Sequence, residues 1–182
     1  MKRSLICITL AVVLALAAVC TGAAEQTFTT SYFTLQLPND WLIETEDLES
    51  EEGEECLGYF GGPADIDVTA GVYLVYYENY KDVSLWNLSE TELKAYTDDL
   101  LEELADAKPE LIEIVKAGTI PLILIKCADK EGEFLYAETM TNGYAIEFEF
   151  YVTDPEGKIS YPMTDGYIEQ IKNILSTLQP AT

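Results

Sequence analysis

One stretch, Ile120 to Val152, dictates most of what this chain can fold into. It reads IPLILIKCADKEGEFLYAETMTNGYAIEFEFYV and divides into three antiparallel strands, about Ile120–Ala128, Glu133–Met140 and Tyr144–Val152. In the last, Tyr144, Ile146, Phe148, Phe150 and Val152 fall on one face, and Ala145, Glu147, Glu149 and Tyr151 on the other. A period of two is the mark of a strand with one buried face. Asn142-Gly143 separates the second and third strands, and that dipeptide fills tight hairpin turns because both central residues need positive φ. Lys130–Gly132 links the first two. A meander of this kind must be covered by something, so the rest of the chain is read for its cover.

Two amphipathic helices supply it. Ser89-x-x-Glu92 fits a capping box, in which hydroxyl and carboxylate satisfy free backbone donors. Leu93, Tyr96, Leu100 and Leu104 follow at helical intervals, widened by Leu101, while Asp98, Asp99, Glu102 and Glu103 point outward. Pro109 ends this helix, and Leu111–Val115 reads as a strand that Gly118 turns into the meander. Thr153–Lys158 is a turn-rich loop. A second helix is capped at Thr164, carries Tyr167 or Ile168, Ile171, Ile174 or Leu175, and Leu178 as its stripe, and stops at Pro180. Upstream, Thr27–Thr30 reads as an edge strand and Tyr32–Leu37 as a strand. Pro38-Asn39-Asp40 turns the chain, and Trp41–Thr45 is the return strand, with Trp41 as a core anchor. Cys56–Phe60 and Val68–Tyr77 are further strands. Strands and helices in this order give an α+β domain with helices laid on one extended sheet.

The first 24 residues stand apart. Lys2 and Arg3 precede an apolar run from Leu5 to Val19, and Gly22-Ala23-Ala24 offers a signal-peptidase site, so cleavage is expected after Ala24. The run is short for a membrane span. A lipid anchor would use Cys20, but bulky Val19 precedes it, which favours export as a soluble protein without stable membrane insertion. The remaining 158 residues suit one domain, 25–182.

Charge then narrows the function. All 33 acids but only eight of the ten basic residues lie after Ala24, a net charge near −25. Such a chain is repelled by nucleic acid and by anionic membrane. Its acidity suits either a cation-binding surface or simple solubility, and solubility is the commoner use. Eight acids crowd Glu44–Glu55, which reads as a solvated loop because the alternating ligand spacing of a calcium loop is missing. Histidine is absent, which removes Ser-His-Asp, Cys-His and His-metal machinery together. Cys56 and Cys127 are too far apart for a CxxC pair. They form either a disulfide, worth about 4 kcal/mol by chain entropy, or two separate buried thiols.

Few residues suggest a site. Asp65 and Asp67 would project together from an extended segment, a minimal pair for a divalent cation such as Ca²⁺; no other cofactor is expected. Tyr73 and Tyr77 share a strand face, Tyr76 points opposite, and Tyr80 and Trp86 follow. Core packing accounts for such aromatics, but whatever stays exposed among Tyr73, Tyr76, Tyr77 and Trp86 can stack on a sugar or a peptide. Asp65, Asp67, Glu138, Glu147 and Glu149 could furnish the two acids of a glycan hydrolase.

The opening YFTLQLPNDWLI resembles the start of PsbP-like domains, where a hairpin carries an aromatic-rich strand, a Leu-Pro turn and a tryptophan. The Ser89 helix, the meander and the closing helix resemble that family in order, over nearly all of 27–179. The resemblance implies an α/β/α sandwich around a mainly antiparallel sheet, and a non-catalytic accessory or binding role, with a protein or glycan as partner. The acidic loop after Trp41 has no counterpart in it, and it places no functional residue on this chain. A hydrolase or a structural subunit of a surface assembly are the alternatives.

Overall fold

The computed structural model describes residues 25–46, 48–50, 53–130, 132–154 and 160–181. The expected signal segment lies outside them, as do Asp47, Glu51 and Glu52 of the acidic stretch, Glu131, and residues 155–159 of the turn-rich loop.

Ten strands and two helices follow in order. They are β1 (Glu25–Thr29), β2 (Phe33–Pro38), β3 (Leu42–Glu44), β4 (Glu54–Gly61), β5 (Asp67–Tyr76), α1 (Glu90–Glu103), β6 (Glu110–Ala117), β7 (Ile120–Ala128), β8 (Glu133–Thr141), β9 (Tyr144–Thr153), α2 (Asp165–Leu175) and β10 (Gln179–Pro180). Seven strands form one sheet in the order β3-β4-β5-β9-β8-β7-β6, and β1-β2-β10 form a second. Each of these ladders is antiparallel. With helices on both faces of the large sheet, the arrangement is an α/β/α sandwich.

The meander forms where its alternation places it, with Asn142 (φ 49°) and Gly143 (φ 79°) in its tight turn. Its two faces feed two cores. One holds Leu122, Leu124, Leu135, Phe148, Phe150 and Val152, and closes against α2 through Ile168, Ile171, Ile174 and Leu175, and against the small sheet through Phe28, Phe33, Leu35 and Leu37. The other holds Ile123, Ile125, Cys127, Phe134, Tyr136 and Met140 beneath Tyr96 and Leu100 of α1. The capping box at Ser89 and Glu92 is present in both directions. Thr164 occupies the cap position of α2, but its side chain makes no capping hydrogen bond. Trp41 is a buried anchor beside Phe60.

Three expectations are corrected. The segment after Trp41 does not return along β2; β3 pairs with β4 in the large sheet, and β2 takes β1 and β10 as neighbours. Pro180 does not stop the second helix, which ends at Leu175; it lies in β10, opposite Phe33. A Cys56–Cys127 disulfide is ruled out by strand order. Both thiols are buried and free, on β4 and β7, with β5, β9 and β8 between. Four strand spacings amount to about 19 Å, whereas a disulfide needs Cα atoms roughly 4.4–6.8 Å apart. The cleaved chain should therefore release two thiols to Ellman's reagent on denaturation without reductant, and its melting temperature should not respond to reductant. A single-bond equivalent of oxidised sulfur would contradict this strand order. Burial, then the charges of Glu149 and Asp129, push the Cys127 thiol up to about 11, so it should also resist alkylation in the native state.

Candidate functional site

The sheet face beneath α1 is not apolar throughout. In register, Cys56, Tyr73, Glu147, Glu138 and Ile123 stand side by side on β4, β5, β9, β8 and β7. The next row is Tyr59, Gly71, Glu149, Tyr136 and Ile125, and the next is Gly61, Thr69, Tyr151, Phe134 and Cys127. The first two rows therefore run through phenols and carboxylates to an isoleucine on β7, and the third ends on Phe134 and Cys127. α1 packs on the aliphatic side. On β4, β5 and β9 the same face stays partly exposed at Tyr59, Tyr73, Glu147, Glu149 and Tyr151. Gly71 leaves room for the neighbouring phenol: a Cβ there would lie 2.5 Å from Tyr73 Oη.

At the covered edge of this face lies Glu138, only 1% exposed. Tyr96 of α1 donates its hydroxyl to Oε1, and Tyr136 donates to Oε2 at 2.7 Å. Glu147, opposite it on β9, accepts from Tyr77 at 2.9 Å and has Tyr136 as its diagonal neighbour on β8. Glu149 accepts from Tyr151 at 3.1 Å. Tyr80 sits edge-on to both Tyr77 and Tyr96. Burial pushes Glu138 up to about 7 against the pull of its two phenols, with the charges of Glu147 and Glu103 adding to the rise. Burial likewise raises Glu147 and Glu149, offset by their phenol partners and reinforced by Glu54 and other nearby acids. Among the described residues, ion pairs join Lys81 to Glu78, Lys94 to Asp98, Lys126 to Glu133, and Lys172 to Glu113 and Glu169, and none of these pairs involves the three carboxylates.

The residues singled out in sequence divide between several places. Tyr73 and Tyr77 belong to this face, as their shared parity predicts. Burial raises the Tyr73 and Tyr77 hydroxyls well beyond the ordinary phenol value. Tyr76 points the other way, packs against Tyr144 with ring centres 4.8 Å apart and planes tilted by 41°, and donates to Glu78. Tyr76, Tyr144 and Trp86 are 43%, 45% and 43% exposed. Asp65 is exposed in the loop before β5, and Asp67 accepts from the backbone N–H groups of Val68 and Ala64, so it closes its own turn. Among the described residues no group of three or more His, Cys, Asp or Glu is gathered for a metal ion. Open surface depressions of about 530 and 380 Å³ lie elsewhere, one beside Gly118 and Pro180, the other beside Tyr32 and Leu57.

Sequence reasoning missed Tyr96, Tyr136 and Tyr59 as members of a polar cluster. The signal was present in Tyr136-x-Glu138, which share a strand face, and in a tyrosine within an otherwise leucine stripe. Which strand Glu138 faces depended on an order the sequence does not print.

No protein-family model and no curated protein matches the chain. Two solved structures are similar. The solution structure of cyanobacterial PsbP (CyanoP) from Synechocystis sp. PCC 6803 matches with a TM-score of 0.45 and 14% identity, over 89% of this chain and 97% of that one. A crystal structure from Bacteroides thetaiotaomicron VPI-5482 matches with a TM-score of 0.46 and 18% identity, over 86% of this chain and 48% of that one, so this chain spans about half its length. The likeness is a loose one to PsbP-like folds and carries no argument about a site. Among the described residues no helix is long and apolar enough to cross a membrane.

Proposed function

We propose that the chain is an exported, non-catalytic binding or accessory protein, and that it takes a cationic group of a protein partner on the half-open face beside α1. One observation carries this reading. Glu147 and Glu149 are partly withdrawn from water, their hydrogen-bond partners are phenols, and the ion pairs of Lys81, Lys94, Lys126 and Lys172 lie elsewhere among the described residues. Such carboxylates bear a desolvation cost that an incoming ammonium or guanidinium would offset. Tyr59, Tyr73 and Tyr151 offer it ring faces as well. Nucleic acid is excluded by the same charge.

The experiment is titration with a short lysine- and arginine-rich peptide at physiological salt. Glu149→Gln and Tyr73→Ala are each expected to weaken binding about tenfold, the order of 1.4 kcal/mol. Asp165→Asn, a charge deletion in the first turn of α2 on the opposite face of the sheet, should leave it unchanged. Equal losses from all three, abolished together by salt, would mean charge attraction without a site.

A second reading rests on the paired Tyr76 and Tyr144 rings, which with Trp86 present exposed aromatic surface suited to a glycan. A neutral oligosaccharide panel against Tyr144→Ala distinguishes it. The hydrolase alternative draws on Glu138, whose raised pKa suits a general acid. Its enclosure between Tyr96 and Tyr136 leaves a substrate no approach, so we read it as structural. Asp65 and Asp67 carry no cofactor proposal.

A further inference from the structure

Glu138 and Glu147 are direct neighbours across β8 and β9, with Cα atoms in register. Like charges in that position repel. Tyr136 donates to Glu138 Oε2 at 2.7 Å and is the diagonal neighbour of Glu147 across β8 and β9, so one phenol borders both carboxylates. Tyr96 reaches down from α1 to the far side of Glu138, and it has a second acceptor in Met140 Sδ at 3.9 Å. Most elements packed round the pair add phenol or negative charge, among them Tyr73 of β5, opposite Glu147, and Glu54 of β4. α1 brings Tyr96 and Glu103, the segment after β5 brings Tyr77 and Tyr80, and β9 brings Glu147 with Glu149 beyond it. β7 contributes only Ile123 and Ile125.

We propose that Glu138 and Glu147 share one proton, and that this proton is the latch that holds α1 on the sheet. With the proton in place the network of Tyr96, Glu138 and Tyr136, with Glu147 beside it on Tyr77, is satisfied: the carboxylic hydroxyl donates within it, and Tyr96 can turn its own proton to Met140. When the proton leaves to water, two charges remain on adjacent strands beneath a helix that brings Glu103 and no lysine toward them. Glu147 already meets water at the half-open face, so lifting α1 is then the way to hydrate Glu138. The latch shares Glu147 with the cationic-ligand reading but does not rest on it, since Glu138 is enclosed whether or not that face is occupied.

Its direction follows from the raised pKa. Glu138 titrates near 7 in the folded chain against an ordinary 4.5. Between those values the folded state keeps a proton that the opened state gives up. The docked helix is thus favoured fully below about 4.5, and its advantage is lost as the pH climbs to about 7. Because the protons of such a pair belong to both groups, either carboxylate can carry the signal.

Hydrogen exchange of the α1 amides, corrected for the intrinsic rate, tests this in the full exported chain. Protection is expected to fall on the order of a hundredfold from pH 5 to pH 8, and Glu138→Gln should flatten that fall. Infrared spectra at pH 6 should show a protonated carboxyl band, and both Glu138→Gln and Glu147→Gln should diminish it. A wild-type band already gone at pH 5, or α1 protection indifferent to pH, would overturn the latch. A band untouched by Glu147→Gln would overturn the sharing. Should either variant fail to fold, the wild-type band and protection profile decide alone.

Discussion

Phe148→Ala is expected to destabilise the protein by about 3–5 kcal/mol, the range for emptying a fully buried phenylalanine site. Phe148 is 0% exposed and sits where the two sheets meet. It meets Phe33 of the small sheet edge-on at 5.6 Å and stacks on Phe150 of its own strand at 6.0 Å. Val72 and Ala137 flank it in register. Its neighbours are held by two sheets that cannot close independently on a void, so the cavity term should be large. Domains of this kind have roughly 5–15 kcal/mol in all, and one substitution would remove a large share of it. Urea unfolding should show a lower midpoint with an unchanged slope. A loss under about 1 kcal/mol would mean that the small sheet does not dock as described.

Gly58→Ala should have a comparable effect through a different cause. Gly58 follows the bulge in β4, where the register slips between Cys56 and Gly58, and it holds φ at 146°. A Cβ at this position would lie 2.8 Å from the Glu44 carbonyl oxygen of β3 and 2.9 Å from the Phe28 ring. Backbone strain of about 1–3 kcal/mol and overpacking of about 1–3 kcal/mol then act together. Gly53 separates the two causes. It also has positive φ, 91°, but nothing lies within 4 Å of an added Cβ. Gly53→Ala should thus cost only the conformational part, about 1–2 kcal/mol. Equal losses at both glycines, measured by the same urea titration, would show that the contact with Phe28 and Glu44 is not tight.

The parts of the fold legible in sequence are those whose signal is local. Alternation from Tyr144 to Val152, the Asn-Gly turn and the Ser89 capping box each sit within a few residues of what they determine. The small sheet was not legible, because β2 owes a neighbour to a pairing of Thr34 with Gln179 across almost the whole chain. Strand order was hidden for the same reason, and with it the fate of Cys56 and Cys127. The site follows this division. Parity put Tyr73 and Tyr77 on one face, and Glu147, Glu149 and Tyr151 on one face. Only the insertion of β9 between β5 and β8 brings those groups together with Glu138 and Tyr96. A stripe position on a helix gave no hint that the Tyr96 hydroxyl would end on a buried carboxylate.

The borders of the large sheet have a consequence for how the protein behaves at high concentration. An unpaired strand is a template on which a second molecule can build, and long flat ones seed aggregation. One border here, β3, is three residues long. The other, β6, is bent by a bulge between Leu111 and Glu113, and Glu113 is engaged by Lys172 at 2.8 Å. Copies that nonetheless approach carry a net charge of −23 each in the full chain, and repel. The protein should accordingly stay monodisperse when concentrated at low salt, despite a sheet seven strands wide.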